Sequence, residues 1–308
     1  MGRIEMKKTV AVVVTYNRKE MLRECIKSIL EQRDSSCDII LVDNASTDGT
    51  YEMIRENFNR TEVVYYNTGV NLGGAGGFQY GVKRAVLLGY EYIWLMDDDT
   101  LPEKTALAEL FAVDKRLQGE WGFLSSVAYW TDGNICRMNI QKKSIFRHVG
   151  EKEYRNDITP VEMCSFVSLL IKSNVVKEVG LPIKEYFIWT DDYEYTGRIS
   201  RRYSCYMVTK SKVVHAMKKH TRVNFATDEG ARLERYKCIY RNDVHCYRQY
   251  GLKGWIYIVL KDIYTAVNVL LNSKDKKWRK IRILCSGVGD GLVFFPRIEM
   301  VDEEHICG

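Results

Sequence analysis

Apolar and polar positions along the first hundred residues alternate in blocks that predict strands and helices in turn. Residues 9–14 (TVAVVV) form a short β-branched run that reads as a buried strand. Met21, Leu22, Cys25, Ile26, Ile29 and Leu30 recur at helical spacing and predict a helix over 20–30. A second buried strand follows at 39–42, a polar turn at 44–50, and a short helix marked by Tyr51, Ile54 and Phe58. Residues 61–66 read as a third strand, 73–88 as a Gly-rich loop entering a helix, and 92–96 as a fourth strand. The fourth stops at Asp97-Asp98-Asp99. This alternation predicts an α/β fold with a mostly parallel central sheet and helices on both faces. Ligands of such sheets bind at the carboxyl ends of strands, so Asp43 and Asp97, each just past a strand, are expected to share one cleft.

Beyond residue 100 the pattern is less regular. Residues 123–130 and 163–171 read as strands, 173–179 as a short helix closed by Gly180, and 205–209 and 213–215 as two short strands. Residues 186–200 hold a second acidic cluster and open a helix; past His220 the chain turns helical and basic.

Composition changes this picture in two places. The 308 residues, 46% hydrophobic and 28% charged, are ordinary for a folded soluble protein with a large core. The net charge of +6, however, conceals an asymmetry: residues 198–282 hold 21 basic and 6 acidic residues, the remainder 25 and 34. A basic third interleaved with aromatics suggests an anionic counterpart (a membrane face, a lipid pyrophosphate or nucleic acid), the alternative being a solvated basic face. Trp255, Ile256, Ile258, Val259 and Tyr264 could form an apolar stripe ahead of the basic cluster 274–282, a combination suited to a helix lying on an anionic bilayer. The longest apolar stretch, 255–271, is broken by Lys261, Asp262 and Asn268, so no spanning helix is expected. The polar N-terminus does not read as a secretory signal. Nine scattered cysteines without a CxxC pair argue against zinc or a disulfide framework and for a reducing cytoplasm.

Three carboxylates in a row repel one another, and a divalent cation with hard oxygen ligands relieves that repulsion. In an extended segment Asp97 and Asp99 face the same way and can converge on one ion; the competing reading is an acidic turn capping a helix near Pro102. In Asp191-Asp192-Tyr193-Glu194 one carboxylate can serve as general base to an acceptor hydroxyl, or the cluster can cap a helix. His215, just after a strand, is a candidate metal ligand, and Lys218, Lys219 and His220 could meet a pyrophosphate. Asn71-Leu72-Gly73-Gly74-Ala75-Gly76-Gly77-Phe78 permits close backbone approach to a ligand, but it matches neither the dinucleotide fingerprint nor a P-loop.

In this order the motifs resemble glycosyltransferase family 2, the inverting enzymes of GT-A fold. The resemblance rests on Val14-Thr15-Tyr16-Asn17-Arg18, on 42–50 (VDNASTDGT), on the Gly-rich segment, on the Asp triplet, on Trp189-Thr190-Asp191-Asp192 and on His215. It implies a catalytic domain over 1–220, with a nucleotide-sugar half to about residue 100 and an acceptor half after it, followed by a helical region over 221–308. It implies that Thr15 and Tyr16 border the nucleobase, that Asn17 and Arg18 join them in binding the nucleotide sugar, and that Asp43 accepts a hydrogen bond from the pyrimidine NH. Asn71, Gly73, Gly74, Gly77, Asp97 and Asp98 would contact the donor; Asp97, Asp99 and His215 would hold Mn²⁺ or Mg²⁺. Asp192, with Asp191 beside it, would be the base. The Gly-rich segment resembles the galactofuranosyltransferase branch, with bacterial rhamnosyltransferases close by. That implies a UDP- or dTDP-linked donor and a lipid-linked glycan acceptor at the inner membrane face, in polysaccharide synthesis, with no nucleic-acid partner. In that branch Trp-Asp-Asp is usual; here Thr190 intervenes. Segments 236–242 (YKCIYRN) and 287–292 (GVGDGL) also look like segments of the branch. The rival reading of another class is a non-catalytic nucleotide-sugar-binding scaffold.

Overall fold

The computed structural model describes residues 9–58, 61–217, 224–230 and 232–301. The Lys218–His220 run expected near a pyrophosphate lies outside them. The first half alternates as the pattern requires: β1 (Thr9–Thr15), α1 (Lys19–Leu30), β2 (Asp38–Asp43), α2 (Thr50–Asn57), β3 (Val63–Asn67), α3 (Gly73–Leu87) and β4 (Tyr92–Asp97). Then come β5 (Thr100–Pro102), α4 (Ala106–Arg116), β6 (Phe123–Tyr129), β7 (Lys142–Ser144), β8 (Arg147–His148), β9 (Ile158–Pro160), β10 (Leu169–Lys172), α5 (Ser173–Val179), α6 (Asp191–Ser200) and β11 (Tyr206–His215). Three helices close the chain: α7 (Arg232–Arg248), α8 (Gly251–Asn272) and α9 (Lys277–Leu292).

The main sheet runs β3-β2-β1-β4-β10-β6-β11-β5, with β9 added beside β11. β1 to β4, β6 and β11 run one way; β5, β9 and β10 oppose them. Strand alternation splits the core between two faces. Val10, Val12 and Val14 join α3 and α5 on one, while Ala11, Val13 and Trp94 join α1 and α4 on the other. The register pairs Thr15 with Asp43 and Val14 with Asp97, so the carboxyl ends of β2, β1 and β4 lie side by side.

Several sequence expectations are corrected. The Gly-rich segment is the start of α3 itself. A Cβ on Gly77 would lie 2.4 Å from Val14 Cγ1, so this glycine permits close approach of the helix to the sheet. Gly73 has φ +72°, and a Cβ there would meet Phe187 O at 2.1 Å, so no side chain fits. The strand expected over 163–171 survives only as β10, because Ser168 turns left-handed (φ 61°). The two strands expected at 205–209 and 213–215 are one strand, β11. The polar break between them is a register shift opposite β6, and Ser211 is buried there, donating to Ala106 O at 2.8 Å. The helix expected near Pro102 is α4, which begins at Ala106 after Pro102 closes β5.

By length and composition α8 qualifies to cross a membrane, with mean hydropathy 1.3. The breaks seen in sequence are displaced onto one side: Lys261, Asp262 and Asn268 are half-buried, while Leu252, Ile256, Val259, Leu260, Ile263, Tyr264, Val267 and Leu271 form an exposed apolar stripe. The eight described cysteines are free thiols.

Candidate active site

The acidic triplet leaves β4 with its three side chains in different settings. Asp98 is buried and turned inward, accepting from Thr15 Oγ1 at 2.7 Å and from Arg18 Nη1 at 3.2 Å. Asp98, expected at the donor, and Thr15, expected at the nucleobase, are thus bonded to each other. Arg18 Nη1 also reaches Asp99 Oδ2 at 2.9 Å, tying the residues after β1 to the triplet. Asp97, Asp99 and His215 converge, their candidate ligand atoms within 4.8 Å of one another. Burial, with Asp99 adding repulsion, lifts Asp97 to about 7. Burial also lifts Asp98, to about 6, against the pull of Arg18.

The donor chemistry at this cluster fits a divalent cation. Asp99 Oδ1 is buried without an aligned hydrogen bond, although His215 Nε2 stands 3.0 Å away. The other ring nitrogen, Nδ1, lies 2.8 Å from Asn139 Oδ1. An amide oxygen only accepts, so Nδ1 carries a proton and Nε2 can present its lone pair toward the carboxylate. Two carboxylates and an imidazole around one point suit Mn²⁺ or Mg²⁺. With no cation the ring is protonated instead: burial acts to lower His215, but Asp99 and Asp97 raise it to about 10.

Beside the cluster lies the end of β2. Asp43 is buried; its Oδ2 accepts from Tyr65 Oη at 2.6 Å and its Oδ1 from Ser46 N at 2.8 Å. Asn17 braces the same turn, its Oδ1 accepting from Thr47 N at 2.7 Å. Tyr16 is 45% exposed above it. Asn71 Oδ1 accepts from Gly73 N at 2.8 Å, and Gly74 lines the cleft with open space where a Cβ would be.

Asp191 and Asp192 line one cleft of about 420 Å³ together with Asp97 and His215. They open α6 after a distorted loop in which Phe187 (φ 63°), Trp189 (φ 66°) and Thr190 (φ 66°) are left-handed though none is glycine. Such residues cost about 1–3 kcal/mol each and persist only where the surroundings hold them. The intervening Thr190 is thus absorbed as one of two left-handed residues before the helix. Burial and the neighbouring Asp192 raise Asp191 well above the usual carboxylate range. Burial lifts Asp192 only to about 6, because the Tyr193 amide, donating to its Oδ1 at 2.7 Å, and Lys142 favour the charged form. The Tyr193 amide and Lys142 thus favour negative charge on Asp192 over Asp191.

Residues 10–172 match the model of glycosyl transferase family 2, more than half of the chain. The chain belongs to this family. Among curated relatives, galactofuranosyltransferase GlfT1 of Mycolicibacterium smegmatis is 26% identical over 62% of this chain and 65% of its own. Abequosyltransferase RfbV of Salmonella typhimurium is 41% identical over 32% of this chain and 30% of its own. The matches thus span less than two thirds of these relatives. A crystal structure of GalNAc-T7 with UDP, GalNAc and Mn²⁺ superposes at TM-score 0.61 and 14% identity, covering 91% of this chain and 54% of that one, and shares the GT-A fold.

Some site residues of this family 2 chain gave no sequence signal as such. Asn139 orients His215 from an irregular stretch, and Lys142 lines the cleft from β7. The support of the distorted loop comes from the YKCIYRN segment, noticed in sequence without a role. Asn242, fully buried, donates through Nδ2 to Tyr186 O, Ile188 O and Trp189 O at 3.0, 3.1 and 2.9 Å. Arg241 donates to Glu185 O at 2.6 Å, and Asp243 accepts from Thr190 Oγ1 at 3.0 Å. Asn242→Ala strands buried carbonyls at about 1–3 kcal/mol each and frees the loop that aims Asp191 and Asp192. We expect a tenfold or greater fall in kcat for nucleotide-sugar turnover, with donor KM changed less than about twofold, measured by nucleoside diphosphate release. An unchanged kcat would show that the loop holds itself.

Proposed function

We propose that the protein is a metal-dependent, inverting glycosyltransferase that moves galactofuranose from UDP-galactofuranose onto a lipid-linked glycan acceptor in cell-surface polysaccharide synthesis. The observation that carries this reading is one cleft lined both by Asp97 and His215 of the candidate metal cluster and by the Asp191–Asp192 pair. Similarity to a galactofuranosyltransferase supports the donor.

On this reading Tyr16, Asn17, Arg18 and Asp43 form the nucleotide end, with Asn71, Gly73 and Gly74 bordering the sugar diphosphate. Asp97, Asp99 and His215 hold Mn²⁺ or Mg²⁺, which supplies positive charge to the departing nucleoside diphosphate. Asp192 accepts the proton of the acceptor hydroxyl as that oxygen attacks the anomeric carbon. The bond to the diphosphate breaks with its electron pair leaving on the diphosphate oxygen, and in-line attack inverts the anomeric configuration. Asp191, held protonated beside Asp192, keeps a second negative charge off the acceptor side.

The donor is tested by thermal shift with Mn²⁺ and UDP-galactofuranose, UDP-galactopyranose, UDP-glucose or dTDP-rhamnose. UDP-galactofuranose should give the largest stabilisation; a larger shift with dTDP-rhamnose would replace it as the donor.

The exposed stripe of α8 and the basic residues at 274–282 support peripheral attachment to the anionic inner face of the cell membrane. Vesicles rich in phosphatidylglycerol should sediment the protein at low salt and release it at about 0.5 M salt. Failure to sediment at low salt would remove the membrane from this reading without touching the chemistry.

A further inference from the structure

The cleft extends past Asp191 and Asp192 to a wall built from β7, α7 and α8, which contribute Lys142, Tyr247, Tyr257 and Lys261. Lys142 is 4% exposed. Its Nζ donates to Tyr247 Oη at 2.8 Å and lies 4.5, 5.1 and 5.6 Å from the ring centroids of Tyr193, Tyr247 and Tyr257. Among the described residues no carboxylate stands within ion-pair distance of it. Lys261, approaching from α8, is paired with Asp243, and that carboxylate also accepts from Thr190. Two ammonium groups therefore meet at Tyr247; the Asp243 carboxylate is already shared between Lys261 and Thr190, and Asp192 acts on Lys142 only from beyond ion-pair distance.

A buried ammonium held by rings and one hydroxyl is incompletely compensated. Burial, followed by the charge of Lys261, lowers Lys142 to about 8. If Lys142 were only a packing strut, a neutral chain of the same length would fill the place without this cost. An anion in the cleft would complete both lysines through charge-assisted hydrogen bonds.

We propose that Lys142 and Lys261 form an acceptor subsite for a phosphate group, carried as a phosphate ester or diphosphate on the molecule whose hydroxyl is glycosylated. The inference rests on the glycosyltransferase reading and names the chemistry that its acceptor must bear. Lys261 and Tyr257 line the cleft from α8, the helix whose opposite side is the exposed apolar stripe. A phosphate at the head of a lipid would then reach the cleft from a bilayer lying along that stripe. A phosphate within a water-soluble glycan would meet the same lysines from solution.

The test is calorimetric titration of the full chain, with its donor end filled by saturating UDP and Mn²⁺. The probes are farnesyl diphosphate, glucose 1-phosphate, inorganic phosphate and farnesol. Phosphate-bearing probes should bind, and Lys142→Met should weaken them at least tenfold while leaving UDP affinity unchanged, which also reports correct folding. Should Lys142→Met fail to fold, Lys261→Gln, at a side chain one third exposed, carries the same expectation. Binding by farnesyl diphosphate alone assigns the phosphate to a lipid head; equal binding by glucose 1-phosphate assigns it to a soluble glycan. The subsite is overturned if no phosphate probe binds, if farnesol binds as well as its diphosphate, or if both variants bind like the wild type. Loss of UDP binding by the wild type would instead sink the glycosyltransferase reading on which the subsite depends.

Discussion

Asp99→Ala is expected to abolish nucleotide-sugar turnover, by at least about a thousandfold, or about 4 kcal/mol of transition-state stabilisation. EDTA should do the same to the wild type. The size follows from what Asp99 does in the cluster. Its Oδ1 faces His215 Nε2 at 3.0 Å with no aligned hydrogen bond, and its Oδ2 is held by Arg18 at 2.9 Å. It is thus oriented by one partner and left available on the other side, as a ligand must be. Removing it leaves Asp97 and His215, too few to hold a divalent ion against water. A structural consequence separates this from misfolding: Mn²⁺ should raise the melting temperature of the wild type and not of the variant, because only a folded state that binds ion is stabilised by it. Full turnover in EDTA would end the metal mechanism.

Asp192→Asn should lower turnover about 10²- to 10⁴-fold, the usual contribution of a general base, with UDP affinity unchanged. Asp191→Asn should cost far less, about tenfold at most. The asymmetry comes from protonation. Asp191 is held neutral by burial and by its neighbour, and an amide imitates a neutral acid. On the proposed roles Asp192, whose charge the Tyr193 amide and Lys142 favour, is the ionised base, and the substituted amide removes that charge. The sign in pH follows: a base must be deprotonated, so kcat/KM should fall about tenfold per unit as pH drops below about 6. If Asp191→Asn proves the more damaging of the two, their roles are exchanged.

How far the sequence could be read depends on how far apart the interacting residues lie. The β1–β4 half was legible because β-branched runs and helical spacing are local signals, and its strand ends placed Asp43 and Asp97 together. The Asp97–Asp99–His215 cluster was legible because a triplet after a strand and a histidine after a strand are each conspicuous. What escaped was whatever a long-range contact decides. Thr15 looked like a nucleobase residue and is bonded to Asp98, 83 positions on. Gly77 looked like a ligand contact and is a packing gap for Val14. Asn139 sits in an irregular stretch and Lys142 in a three-residue strand too short to show periodicity, and only the folded chain brings them to His215 and Tyr247, 76 and 105 positions away. The polar residues of α8 broke its hydropathy along the sequence, yet around the helix they share a side.

The hold of Asn242 on the loop before Asp191 bears on how such enzymes can be recombined. The side chain belongs to the C-terminal helices, while the carbonyls it binds belong to the catalytic fold. A chimera joined near residue 220 would therefore inherit the Asp191–Asp192 pair from one parent and the support of the loop before it from the other. The two portions are not interchangeable modules, and a graft meant to change acceptor preference should carry the 185–192 loop together with the helices that grip it.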